Sequence, residues 1–261
     1  MNPMLLEWLS FKMTPASEEA RALGYLKEHI AIQARHRRCR EAWKDHLEKT
    51  RRFVLWAAAS CPKQDKITIL GSGGLLDVPL VDLADDFGEV VLVDILHPPA
   101  VKKWAQQYSN VRLAEADVTE MAANFLEGKI PDTPPMPTFE DADADGDLIV
   151  SLNMLGQLPL VLIPHLPADW TAAKKAAFAA ETQWQHLRAL KNTTGRVCLI
   201  TGVEREWLDG DGVDARERPL AEIKLPTPNK NWYWDLAPAP ELEKDRDLRL
   251  KIHAYLNLFK K

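Results

Sequence analysis

Five short apolar runs recur along the chain, and between them the apolar spacing changes to that of helices. The runs are KITIL (66–70), EVVLVD (89–94), VRLAEAD (111–117), DLIVSLNML (147–155) and GRVCLITGVE (195–204). They are short, apolar and rich in β-branched residues, as buried strands are. The segments between them, LLDVPLVDLADDF, PPAVKKWAQQYS, VTEMAANFLEG and ADWTAAKKAAFAAETQWQHLRAL, read as helices. Pro79 must sit in a first turn of its helix or kink it. Strands alternating with helices build a parallel sheet covered on both faces.

The alternation stops after the fifth run. NWYWDLAP and LRLKIHAYLNLF are strand-like and lie too close for a crossover helix, so antiparallel pairing at a sheet edge is expected. Upstream, Leu23, Leu26, Ile30 and Gln33, then Trp43, Leu47, Thr50, Val54 and Ala57, step at helical intervals, and SCPKQDK ends the region. The expected fold is α/β: a doubly wound, mostly parallel seven-stranded sheet over 63–261 with a C-terminal antiparallel strand pair, plus an N-terminal helical cap over 1–62.

Apolar residues make up 46% of the 261 and charged residues 27%, enough for a large core without disulfides or metal. No apolar run approaches the roughly 18 to 20 residues of a membrane helix. MNPMLLEWLSFKM lacks the basic and apolar regions of a signal peptide. Cys39, Cys61 and Cys198 are too scattered for a zinc or iron–sulfur pattern. A reduced, cytoplasmic setting is expected. A net charge of −5 argues mildly against nucleic acid as a general partner.

In a doubly wound sheet, ligands bind beyond the carboxyl ends of the strands. Those ends carry Gly71, Ser72, Gly73 and Gly74 after the first run, Asp94 closing the second, Asp117 closing the third, and Ser151 and Asn153 at the fourth. Glycines let backbone approach a ligand. An acid about 20 residues later suits ribose hydroxyls. An acid at the third strand suits an adenine amine, with Ile95 and Val118 flanking the ring. Asp117 could instead cap the following helix.

These motifs, ILGSGG, VVLVD, LAEAD and DLIVSLNML, with the closing strand pair, resemble the class I S-adenosylmethionine-dependent methyltransferases over roughly residues 66–261. The resemblance implies S-adenosyl-L-methionine as cofactor. Gly71 and Gly73 would lie along its methionine part, Asp94 would bind the ribose, and Asp117 with Val118 would frame the adenine. It implies an enzyme that transfers a methyl group directly to a small molecule. One departure is clear: Ile69 and Leu70 stand where many members carry an acid before the first glycine. Asp77 could substitute, although a solvent-facing helix position is the simpler expectation. Ser151 and Asn153 are expected to face the methyl group. Asn153 and Gln157 could orient a substrate or bond loop backbone.

Two rivals share these residues. A protein of the same fold could bind the cofactor without transfer. An NAD-dependent oxidoreductase would use the same turn and Asp94, but Leu76 stands at the third glycine position. RHRRCR (35–40) with Arg51 and Arg52 is a basic patch, expected to be a solvated helix face, with a phosphate-bearing substrate or RNA as the alternative. The histidines are dispersed and expected to be structural or solvated. Asp141-x-Asp143-x-Asp145-Gly146 opens like an EF-hand loop, but its twelfth position is Leu152 within an apolar strand, so a solvated loop is expected.

Overall fold

The computed structural model describes residues 11–220 and 223–259. The first ten residues of the expected cap, on which most of the signal-peptide reading rests, lie outside them.

Ahead of the sheet, the described residues include helices α1 (Glu18–Ala22), α2 (Tyr25–Arg38) and α3 (Arg40–Ala59). In α3 the expected face, Trp43, Leu47, Thr50, Val54 and Ala57, is buried throughout. The alternating part runs β1 (Lys66–Leu70), α4 (Leu80–Asp86), β2 (Glu89–Asp94), α5 (Pro99–Ala105), β3 (Val111–Glu115), α6 (Ala122–Leu126), β4 (Leu148–Leu152), α7 (Leu158–Leu162) and α8 (Ala172–Asn192). It closes with β5 (Arg196–Asp209), β6 (Gly212–Glu217), β7 (Lys230–Ala237) and β8 (Asp247–Tyr255).

The strands form one sheet in the order β3-β2-β1-β4-β5-β8-β7. The first five pair parallel, and β8 pairs antiparallel with both β5 and β7. The doubly wound, Rossmann-like architecture with its C-terminal antiparallel pair is therefore as expected. The chain reverses its direction of travel across the sheet between β1 and β4, which opens a crevice at their carboxyl ends.

The sheet has eight strands rather than seven. β5 runs on to Asp209 and turns through Gly210-Asp211 into β6, which pairs back on it. β6 is mostly exposed and polar, so it lacks the apolar signal by which the others were read. The helix after the glycines also starts late, at Leu80 with Pro79 as its N-cap, so 75–79 is an irregular crossing.

Alternation along each strand assigns the two faces. Ile67, Ile69, Val90, Leu92, Val150 and Leu152 pack on the side of α3, in one apolar cluster with Trp43, Leu47 and Val54. Leu70, Val91, Val93, Ile149 and Leu199 pack on the side of α8, against Leu187 and Leu190.

The acidic loop is less solvated than expected. Phe139, Ala142 and Ala144 are buried in the α8-side core. Lys66 Nζ pairs with Asp143 at 2.8 Å and also with Asp145, and Arg112 pairs with Asp143. Asp147 accepts the backbone N–H of Asp65 at 2.8 Å and of Lys66 at 3.2 Å. The aspartates thus seat the loop on the amino ends of the strands, opposite the glycine turn.

Candidate functional site

A cavity of about 230 Å³ opens at the carboxyl ends of β1, β2, β3 and β4. Its floor is the turn after β1. Gly71 and Ser72 both donate their backbone N–H to Val93 O, at 2.9 and 3.0 Å, which folds the turn flat across β2. Gly71 (φ +84°) and Gly73 (φ +49°) adopt left-handed conformations. A β-carbon on Gly71 would lie 2.8 Å from Leu152 O, so this position has no room for a side chain. The Ser72 hydroxyl is turned inward, 3.0 Å from His97 Nε2, so Ser72 offers the cavity mainly its backbone.

Asp94 reaches over this turn. Its Oδ2 accepts the Gly73 N–H at 2.8 Å and its Oδ1 the Ile95 N–H at 2.9 Å. The Leu96 N–H also acts on this carboxylate, which keeps part of its lone-pair capacity toward the cavity. Burial raises its pKa to about 6, offset in part by those backbone N–H groups.

Asp117 lies two residues beyond β3, which stops at Glu115 rather than running to 117, and it behaves differently. Its carboxylate takes the Thr119 N–H and hydroxyl and the Met121 and Ala122 N–H groups, at 2.8 to 2.9 Å. A carboxylate has about four lone-pair sites, so these donors use its capacity. The helix-capping role is the one realised, and no acceptor is left for an adenine amine. Ile95 and Val118 line the cavity as apolar walls beside it.

Ser151 departs from expectation. It is fully buried, and its Oγ lies 3.0 Å from His186 Nε2 of α8. Alternation explains this: Val150 and Leu152 face α3, so Ser151 must face α8. Asn153 does line the cavity, because it breaks the alternation with a left-handed φ of +51°. Gln157 is at the rim, and its Nε2 donates to Asn153 O at 2.9 Å, the loop-bonding option. Asp77, expected to face solvent, lies in the cavity wall because α4 starts beyond it, and it accepts the Asn153 Nδ2 at 2.7 Å. Burial raises its pKa.

The roof is the helical cap. Tyr25, His29 and Gln33 of α2 and Trp43 and His46 of α3 line the cavity. The Tyr25 hydroxyl is buried and makes no hydrogen bond of normal geometry. Its pKa is pushed well up, first by burial and then by the charge of Asp117. His46, expected to be structural or solvated, is 1% exposed and stacks on Trp234 at 4.0 Å in the cavity wall. No sequence signal marks these residues beyond the helical spacing that buries their neighbours.

Much of the basic patch is already engaged. Arg35 and Arg38 pair with Glu241, Arg51 donates to Leu76 O and Arg52 pairs with Glu48. Glu28, Asp77, Asp94 and Asp117 line the cavity, and among the described residues no lysine or arginine does. No described helix is long and apolar enough to cross a membrane.

No family model matches the chain, and no curated protein matches it in sequence. Solved structures do resemble it. One is a Burkholderia thailandensis 1,6-didemethyltoxoflavin-N1-methyltransferase with bound 1,6-didemethyltoxoflavin and S-adenosylhomocysteine. It is 14% identical, covering 88% of this chain and 89% of that one, at a TM-score of 0.36. A DhpI–SAM–HEP complex is 15% identical over 92% of this chain and 85% of that one, at 0.39. The 23S rRNA methyltransferase ErmE is 12% identical over 81% and 71%, at 0.28. Likenesses this distant carry neither substrate nor mechanism to this chain.

Proposed function

We propose that the chain is an S-adenosyl-L-methionine-dependent methyltransferase acting on a small molecule. The observation that carries this is the charge of the cavity: four carboxylates line it and no described lysine or arginine does. A dinucleotide brings a pyrophosphate, which needs a helix N-terminus or cations. Here α4 starts only at Leu80, away from the turn. A nucleoside that carries a cationic sulfonium and an amino-acid end, and no phosphate, matches the acids instead.

The residues fit such a group. The left-handed glycine turn leaves backbone open to a ligand, and the remaining capacity of Asp94 suits a ribose hydroxyl. Ile95 and Val118 would flank the base, and Tyr25, still a donor, would close over the Asp94 and Asp117 end. The buried Asn153 Oδ1 has no partner. Asp77, a buried carboxylate in the same wall, would meet the amino group, taking the place of the acid missing before Gly71.

When bound, the cofactor supplies an electrophilic methyl on a positively charged sulfur. The chain then has to hold an acceptor in line and keep water out, and orientation alone can supply about 7–11 kcal/mol. The cap serves both needs. Trp43, Leu47 and Trp234 give the far end of the cavity an apolar wall. The engagement of Arg35, Arg38, Arg51 and Arg52 favours a small acceptor over RNA. Incubation with methyl-labelled S-adenosylmethionine and the small-molecule fraction of a cell extract tests the reading. Label is expected to move to a small molecule and to stay put with Asp94→Ala; no transfer, despite cofactor binding, supports a binding protein instead.

A further inference from the structure

Beyond the glycine turn the cavity holds a second polar cluster, whose protons can be placed. The Trp232 indole N–H donates to His46 Nδ1 at 3.0 Å. An indole nitrogen has no acceptor capacity, so Nδ1 must carry a lone pair. Burial, with the charge of Lys49 behind it, lowers the His46 pKa to about 3, so the ring is neutral. A neutral ring with a bare Nδ1 carries its proton on Nε2. His46 can therefore give a hydrogen bond to the cavity and cannot act there as a base.

Asn153 is fixed in the same way. Its Nδ2 donates to Asp77 Oδ2 at 2.7 Å, and a flipped amide would set oxygen against that carboxylate. The 3.5 Å contact between Asn153 Nδ2 and His46 Nε2 is then donor against donor and satisfies neither. Asn153 Oδ1 is buried without a partner, and so is Trp234 Nε1. The wall thus presents a spare donor on His46 beside a spare acceptor on Asn153. Around them stand Trp43, edge-on to Trp234 at 4.8 Å, and Trp234, stacked flat on His46 with 3° between the rings.

We infer that this cluster seats the methyl acceptor, and that it selects a small planar heterocycle with a lactam-type edge, a carbonyl next to an N–H. His46 Nε2–H would meet the carbonyl and Asn153 Oδ1 the N–H, with the ring against Trp234 and Leu47. A carboxylate or phosphate would instead face the Asp77 carboxylate. Trp232 is a positioning residue: it fixes which nitrogen of His46 bears the proton. The inference rests on the cofactor reading above.

Calorimetry on protein saturated with S-adenosylhomocysteine tests it, using 2-pyridone and, lacking the N–H, 2-methoxypyridine. 2-Pyridone is expected to bind about tenfold more tightly. His46→Phe should erase that preference while S-adenosylhomocysteine affinity changes less than about twofold. Equal affinity for the probes, or no 2-pyridone binding, overturns the inference and leaves the cofactor reading standing. Loss of S-adenosylhomocysteine binding in His46→Phe also overturns it, by assigning His46 to the cofactor. If the wild-type chain binds no S-adenosylhomocysteine, the cofactor reading itself fails and takes the inference with it. Should His46→Phe not fold, nitrogen-15 NMR of the wild-type ring decides. A neutral Nε2–H tautomer at pH 7 supports the inference, with Nδ1–H appearing in Trp232→Phe; Nδ1–H or imidazolium in the wild type overturns it.

Discussion

The floor and the roof of the cavity are built on different physics. The floor is local. Gly71 and Gly73 lie just past β1 and Asp94 ends β2; the Gly71 N–H bonds Val93 O and the Gly73 N–H bonds the Asp94 carboxylate. The roof is long-range. Trp43 Nε1 reaches Leu236 O at 2.9 Å and Trp232 reaches His46, both across nearly two hundred residues of chain. A floor set by strand ends can hold a nucleoside in any protein of this architecture. A roof set by side-chain packing between α3 and β7 depends on long-range contacts of particular side chains, and selectivity is expected to reside there.

Perturbing each part separately tests that division. The largest effect is expected from Trp43→Ala, since Trp43 is 1% exposed and joins cap to sheet. A loss of about 3–5 kcal/mol should follow, read as a fall of roughly 10 °C or more in Tm. An unchanged melt would mean that the roof is not part of the folded core.

Two aspartates divide the floor itself. Asp94→Ala should weaken S-adenosylhomocysteine about a hundredfold, by removing a charged acceptor, with little loss of stability because a buried acid goes with it. Asp117→Ala should do the reverse, costing about 1–2 kcal/mol as a lost cap and changing affinity only a few-fold. Matching profiles for the two variants, by calorimetry and thermal melts, would break the distinction.

Acid separates floor from roof by sign. His46 falls from 6.5 to about 3 on folding, so the unfolded chain binds a proton there that the folded chain does not. Its contribution to stability is lost as pH falls from about 6.5 toward 3. Asp94 rises from 3.8 to about 6, so the folded chain holds the extra proton and stability rises as pH falls through that window. His46→Phe should therefore flatten the pH dependence of unfolding by up to about 1.4 kcal/mol per pH unit, and Asp94→Asn should steepen it. Ligand affinity should also fall below about pH 6, where Asp94 takes up its proton.

The smallest effect concerns the seam between the two parts. A β-carbon on Gly74 would collide with Gln33 Nε2, the mobile end of a side chain. Gly74→Ala should shift stability by less than about 0.5 kcal/mol while displacing Gln33 and raising the dissociation rate of S-adenosylhomocysteine, measured by stopped flow. A large stability loss would show the seam to be rigid.

The floor was legible in the sequence because it is built from neighbours in the chain. KITIL followed by GSGG, and EVVLVD ending in Asp94, needed only strand spacing and turn chemistry. Ser151 was misplaced by the same rule it should have obeyed, since its odd position in β4 sends it to α8. Asn153 joined the cavity through a left-handed turn that no residue pattern announced. β6 escaped notice because an exposed polar strand has no apolar rhythm, although Asp-Gly-Asp-Gly before it is a hairpin signal. The lining role of His46, Trp43 and Trp234 depends on which face of α3 meets β7, which local spacing does not encode.

The acid-lined cavity is expected to hold a nucleoside sulfonium or its thioether product. Isothermal titration of the wild-type chain with S-adenosylhomocysteine at pH 7.5 measures that directly. The expected result is saturable binding of one ligand per chain. No heat at millimolar ligand, or equal binding by NADH, would contradict it.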